Sequence, residues 1–497
     1  MHTDRARLGR HKFRMAALLT GAAITAGGLA AIAPADASVV TAKSAKATPP
    51  VMAYVALGGT PTGYVAPLNT ATDKIGKEIA AGNGPDLVWV SPNGKTVYAE
   101  DGAPAAAGGY DLVPISTATG KPGTPIALPS ATIGPGPLIF TPNGKQAYVI
   151  DRGGVGGVTE INTTTGKTSA EITAGDDLES LAVTPNGATV YVAAGDSAAV
   201  YPINTKTNKP GSPIPVGNFP AGLLMSPNGK TLYVSNDDPP LGSVEAISTA
   251  TGKVTATIAT GSGAYEMALS PNGKTLYVTD TYGQSLTAIS TATDKATATI
   301  PVCPAAASGL TCEPAGIVFT PNGKTAYIAN QSREGTTLLA LNTVTNAAKE
   351  ITVGGSVPYL AITPNGSSVY AIVWYPAGGG AVVPIAAATG TAGTPIDASA
   401  TAAPGWIAMG LPTLTVVTAT LRAGVVGKAY SVQLAAAGGV GGYSWRIAAG
   451  KLPKGLLLTA AGLIKGKPKT KQTATFTVEV ADPGGATAAA AVKIKVT

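Results

Sequence analysis

The stretch SPNGKTLYVSN, residues 226–236, returns 44 positions later as SPNGKTLYVTD, residues 270–280, and the tripeptide PNG stands seven times in the 497-residue chain. A catalytic constellation is ordinarily written once. A phrase repeated at intervals of 42 to 50 residues is architecture. Its chemistry is that of a tight turn. Ser or Thr opens it, Pro presets φ at the next position, Asn follows, and Gly is free to take the left-handed conformation.

Around each PNG the same four strand-like segments recur. In one complete unit they read TLYVTD, SLTAIS, KATATI and AGIVFT, here termed B, C, D and A, with A assigned the innermost place. A period of this length with four strands is that of a β-propeller blade. A second turn, between C and D, makes a sharper demand, as in STATGK and NTKTNK. Its left-handed position falls on Asp73, Gly120, Gly166, Asn208, Gly252, Asp294, Asn346 and Gly390, the three residue types that tolerate φ > 0. The B segments carry Tyr54, Tyr98, Tyr148, Tyr191, Tyr233, Tyr277, Tyr327 and Tyr370. That count predicts eight blades, with seven as the alternative. The eighth A segment, PGWIAMG at 404–410, has no PNG after it because the chain leaves the repeat there. Pairing it beside MAYVAL, at 52–57, would build one blade from both ends and leave no open sheet edge. One aromatic per blade at a fixed strand position reads as packing between sheets.

The recurring PNGKTLYV(S/T)(N/D) resembles the YVTN-type β-propeller repeat of secreted and surface-layer bacterial proteins, whose members are commonly seven-bladed. The resemblance covers residues 51–411. Beyond it the period stops, and the order G-x-A-Y, GGYSW, LPKGL, GLIKGKP, FTVEVAD over residues 412–497 resembles the Ig-like domains often appended to bacterial secreted proteins. In ATFTVEV, Ala474, Phe476, Val478 and Val480 share one face and Thr475, Thr477 and Glu479 the other, as in a half-buried sandwich strand. Trp445 is the expected core tryptophan. The fold expected is therefore all-β, a propeller of four-stranded blades followed by an Ig-like β-sandwich.

Residues 1–37 read as a secretory signal: five basic residues in the first fourteen, an apolar run from Met15 to Ala33, and an A-x-A site at Ala35-Asp36-Ala37. An uncleaved membrane anchor is the alternative. Residues 38–50 read as a linker. Cleavage after Ala37 would leave 29 basic against 25 acidic residues, too mild an excess to argue for nucleic acid on charge alone. It would also remove His2 and His11, the chain's two histidines, and with them histidine acid–base catalysis, Ser-His-Asp triads and histidine metal ligation. The two cysteines, Cys303 and Cys312, are close in sequence and, in an oxidising compartment, predict a local disulfide.

If the A-to-B and C-to-D turns share one face of the propeller, the B-to-C and D-to-A loops share the other. The turn face collects Lys95, Lys145, Lys230, Lys274 and Lys324 after PNG, with Lys74, Lys121, Lys167, Lys209, Lys253 and Lys295 after the second turn. These are candidates to meet an anionic polymer, although turns favour solvated charge in any case. On the loop face, Asp86, Glu179 and Glu266 lie where A strands begin, a place for a cation or a general acid or base. Trp374 and Trp406, among Tyr265, Tyr282, Tyr359 and Tyr375, suggest an aromatic platform for sugars or peptides, against the commoner role of anchoring loops.

Three function classes follow. The first is a secreted or wall-associated protein, not an enzyme, that binds a glycan, wall polymer or surface protein, with no catalytic residue, cofactor, metal or membrane span in the mature chain. The second, implied by resemblance to lactonase- and lyase-bearing propellers, is an enzyme using loop-face carboxylates. The third, implied by DNA-binding YVTN propellers, is a nucleic-acid binder, which secretion opposes.

Overall fold

The computed structural model describes residues 51–497 apart from 59–61, 102–109, 129–133, 153–155, 303–311, 332–336, 398–403, 419–420, 440–441, 483 and 485. These residues fall into two compact units, one of Met52–Ser91 and Lys95–Gly410, the other of Leu411–Thr497 with Val51 and Pro92–Gly94. Every named element is a strand.

The described part of the first unit holds eight antiparallel sheets, numbered here along the chain by their B strands. The fifth shows the plan: A is Pro220–Met225, B is Thr231–Asn236, C is Ser243–Ser248 and D is Lys253–Ala259, side by side in that order. In the first sheet, B is Met52–Leu57 and the A place is taken by Pro404–Met409 from the far end of the unit. These two pair antiparallel, with Ala53 opposite Met409 and Leu57 opposite Pro404.

Turn chemistry sets these hairpins. Gly94, Gly144, Gly187, Gly229, Gly273, Gly323 and Gly366 of the PNG turns all have φ between 66° and 70°. In the fifth sheet, Gly229 N–H donates to Ser226 O at 2.8 Å, while Asn228 Oδ1 accepts from Ser226 Oγ and from Lys230 N–H. All eight C-to-D positions named from sequence also have φ between 50° and 63° or, at Gly166, 68°. A threonine ties the two turns of one sheet together: Thr249 Oγ1 donates to Gly229 O at 2.7 Å, and Thr205, Thr291 and Thr343 repeat the bond in their sheets.

Contacts between sheets reuse the same residues. All eight B-strand tyrosines are buried, each removing about 150 Å² or more from water, worth several kcal/mol per sheet at ~25 cal/mol/Å². Four of their hydroxyls reach the C-to-D turn of the following sheet. Tyr148 donates to Asn208 Oδ1 at 2.8 Å, Tyr233 to Asp294 Oδ1 at 3.2 Å, and Tyr327 to Ala387 O at 3.0 Å. Tyr370, in the eighth sheet, donates to Asp73 in the first, 297 residues away. PNG turns also stack: a Cβ on Gly366 would come 2.1 Å from Pro321 Cδ, and one on Gly229 2.8 Å from Pro185 Cδ. The glycine is thus required twice, by its φ and by the proline ring of the preceding turn. A strands touch from sheet to sheet, from Gly134–Phe140 of the third through to Pro404–Met409 of the first and on to Val88–Val90 of the second. The second and third sheets meet where the Tyr98 and Phe140 rings lie 5.5 Å apart.

The second unit has its own core. Trp445, Phe476, Val478 and Val480 are buried with Ile464, Val492 and Ile494, and Thr475 on the opposite face of that strand is exposed. The strand Gln472–Ala481 pairs with Ser444–Gly450 on one side and Thr487–Val496 on the other. On the exposed face, Arg446 bridges Glu479 across the sheet at 2.7 Å.

Candidate functional site

On the turn face, Lys95, Lys145, Lys230, Lys274 and Lys324 are all exposed. Their backbones are locked on both sides. Each carbonyl accepts from the first threonine of the adjacent C-to-D turn, as Lys230 O does from Thr249 N–H at 3.0 Å. Four of the five amides donate to the PNG asparagine: Lys145 to Asn143, Lys230 to Asn228, Lys274 to Asn272 and Lys324 to Asn322, each at 2.9 Å. From the second PNG turn to the seventh, each proline lies within 3.8 Å of the Cβ place of the next turn's glycine, which joins the backbone anchors of Lys145, Lys230, Lys274 and Lys324 in one track. The ammonium groups ride on it in solvent. Lys74, Lys121, Lys167, Lys209, Lys253 and Lys295, at the second set of turns, are exposed too. A fixed row of exposed cations attracts an extended polyanion, with each contact weak and screened by salt.

The loop face is different from what the sequence suggests. Trp406 is 5 % exposed and its ring lies 4.4 Å from that of Tyr359, edge on at 61°. Trp374 meets Tyr359 at 6.1 Å and 85°, and its indole N–H donates to Pro404 O at 2.8 Å. These aromatics are brought together, but they close the seam between the eighth and first sheets, so they offer no open stacking platform. Burial, with Asp86 and Glu100 nearby, pushes the Tyr359 hydroxyl above its ordinary value, which keeps it neutral.

The three carboxylates named from sequence stand at the A strands of three different sheets. Glu179 is buried at the bulge between Leu178 and Ser180, Glu266 is buried one register position further along its strand, and Asp86 is exposed. Among the described residues no group of three carboxylate, histidine or cysteine side chains could hold a metal ion. Other loop-face acids cap structure. Asp101 Oδ1 accepts from Asn83 N–H at 2.7 Å, and Asp280 Oδ2 from Ser285 and Thr287 hydroxyls at 2.8 Å each. Asp151 accepts from Thr159 Oγ1. Burial raises its carboxyl to about 6, Glu171 adds to the rise, and the Thr159 bond partly offsets it. Of the expected disulfide, Cys303 lies outside the described residues.

Sequence reading missed the tyrosine hydroxyl bonds between sheets. The signal was present: a side chain able to accept, Asn208, Asp294 or Asp73, stands at the left-handed position of the turn that follows the tyrosine's sheet.

Residues 412–497 match the family described as "Putative Ig domain". They form an Ig-like domain. No curated protein matches the chain. Among solved structures, the chain resembles the dihydro-haem d1 dehydrogenase NirN in complex with DHE, with a TM-score of 0.57 at 14 % identity over 74 % of this chain and 77 % of that one. It also aligns with hydrazine synthase of Kuenenia stuttgartiensis, with a TM-score of 0.43 at 22 % identity over 50 % of this chain and 76 % of that one, a likeness that carries no argument. The first unit is a many-stranded all-β fold with propeller-like neighbours. The dehydrogenase corrects the expectation that the chain is not an enzyme, because a fold of this kind does carry enzymes. At such identity the likeness shows the fold alone.

Proposed function

We propose that the first unit is an eight-bladed YVTN-type propeller, closed where Pro404–Met409 joins Met52–Leu57, and that its turn face binds an anionic polymer or glycan at the outside of a cell. What supports the reading is the lysine track: five exposed lysines at one position of the seven PNG turns, each held by a backbone anchor. The loop face supports it by contrast, since Trp374 and Trp406 are spent on packing and Asp101, Asp151 and Asp280 on capping. Reading residues 1–37 as a secretory signal supports a secreted or wall-associated protein, for which anionic wall polymers would be the partners at hand. The Ig-like domain then serves as a spacer or adhesive module.

The test is binding of a poly(glycerol phosphate) teichoic acid to the secreted chain. Reversing Lys95, Lys230 and Lys274 to Glu should weaken binding about tenfold or more without lowering the melting temperature. Reversing the exposed loop-face residues Asp176 and Asp196 to Lys should leave it unchanged or stronger. Equal losses from both sets would return the lysines to ordinary solvated turns.

A further inference from the structure

Between the turns of the fourth and fifth sheets lies a crevice of about 290 Å³, lined among others by Thr184, Asn186, Thr189, Tyr191, Asn228 and Thr249. We infer that this crevice is a subsite for one pyranose residue. The inference rests on the turn face being the binding face and specifies what part of a glycan it takes.

One departure from the repeat, at Ala188, and the lack of two fillers that some other seams carry leave it open. Ala188 follows this PNG, where the lysine stands in five other turns. At the seam of the third and fourth sheets Gln146 Nε2 crosses to donate to Thr205 O at 3.1 Å, whereas Thr189, the residue type most sheets carry at that position, is shorter. Gly252 occupies the place from which Asn208 and Asp294 reach the tyrosine hydroxyl of the preceding sheet.

What lines the crevice is hydrogen-bonding capacity. Tyr191 is 4 % exposed and lines the crevice, yet its hydroxyl makes no hydrogen bond among the described residues. Asn186 and Asn228 spend their Oδ1 atoms on their own turns, which leaves both Nδ2 groups as donors without acceptors there. Thr249 donates to Gly229 O, so its oxygen can still accept. A lining of hydroxyls and amides with a tyrosine and no charged side chain suits a neutral, polyhydroxylated ring, which both donates and accepts around its edge. The volume sits at the small end of the ~300–1,000 Å³ range of ligand pockets, room for a single sugar. Lys230, next to Gly229 on the rim, would meet a phosphate or carboxylate on the neighbouring unit of the polymer.

The test uses neutral sugars, which the lysine track does not attract: N-acetylglucosamine, methyl α-glucopyranoside and methyl β-galactopyranoside, read by saturation-transfer NMR on the secreted chain. At least one should receive transfer and be displaced by the others weakly or not at all. Ala188→Lys, which restores the residue that five natural PNG turns carry, should weaken that sugar about tenfold. Gly252→Asn, at φ 63° where Asn208 takes 54°, should do the same by engaging Tyr191. Both variants should keep the wild-type melting temperature, and Ala188→Lys should bind poly(glycerol phosphate) no worse than wild type, because it adds a cation. Absence of transfer to all three sugars, or equal transfer to wild type and both variants, would overturn the subsite. Sugar binding that survives the triple lysine reversal, with polymer binding also unaffected, would instead sink the lysine reading and leave the subsite standing.

Discussion

Asp151 shows how single residues serve structure on the loop face. Buried beside Thr159, its carboxyl titrates near 6 in the folded chain against 3.8 unfolded. A raised folded value means that the protonated form is the one folding favours. Its contribution to stability is full below about pH 4 and is lost as pH climbs through 6, amounting to at most about 3 kcal/mol at 1.36 kcal/mol per unit. Asp151→Asn keeps the acceptor for Thr159 and removes the charge. Denaturant titrations from pH 4 to 7 should show wild type losing stability over that window and the variant losing less. Identical slopes would mean that the Asp151 carboxylate is solvated when charged.

At the scale of the turn, the left-handed residues were legible in the sequence because Gly, Asn and Asp take φ > 0 most readily and recur at all eight C-to-D positions, whereas Ala198, Phe219 and Gln284, also at positive φ, carry no such mark. The second demand on the PNG glycine was not legible, because the proline ring that fills its Cβ space comes from a turn more than forty residues earlier. The two demands can be separated. Gly120→Ala meets Ile79 at an ordinary 3.7 Å and should cost the left-handed penalty of about 1–2 kcal/mol. Gly366→Ala adds the collision with Pro321 and should cost at least about 1 kcal/mol more. Equal melting temperatures for the two variants would show that adjacent turns do not pack. The cysteine loop is a further element to check. Intact mass under non-reducing conditions should be two hydrogens below the reduced value, with reduction costing stability near the low end of ~0–5 kcal/mol for so short a loop. Two alkylatable thiols in the folded secreted chain would contradict the disulfide.

For the whole molecule, strand order and repeat period were readable because each blade is a local unit of sequence. The use of the loop-face residues was not. Trp374 and Trp406 look like a platform in sequence because exposure is not written there. In three dimensions they meet around Tyr359, where residues from both ends of the first unit come together, and Trp374 spends its N–H on Pro404. The carboxylates were grouped by their place at strand starts, but Glu179 and Glu266 differ by one register position and Asp86 is exposed where the other two are buried. The lysines differ in that their exposure follows from turns that anchor the backbone and release the side chain. The most direct test of their role is the salt dependence of poly(glycerol phosphate) binding to the secreted chain. Each lysine–phosphate contact releases a counterion, so raising salt from about 50 to about 200 mM should weaken wild-type binding tenfold or more, with a clearly shallower dependence in the triple Lys95, Lys230 and Lys274 reversal. Affinity indifferent to salt, or the same slope in both proteins, would contradict a lysine track that binds polyanions.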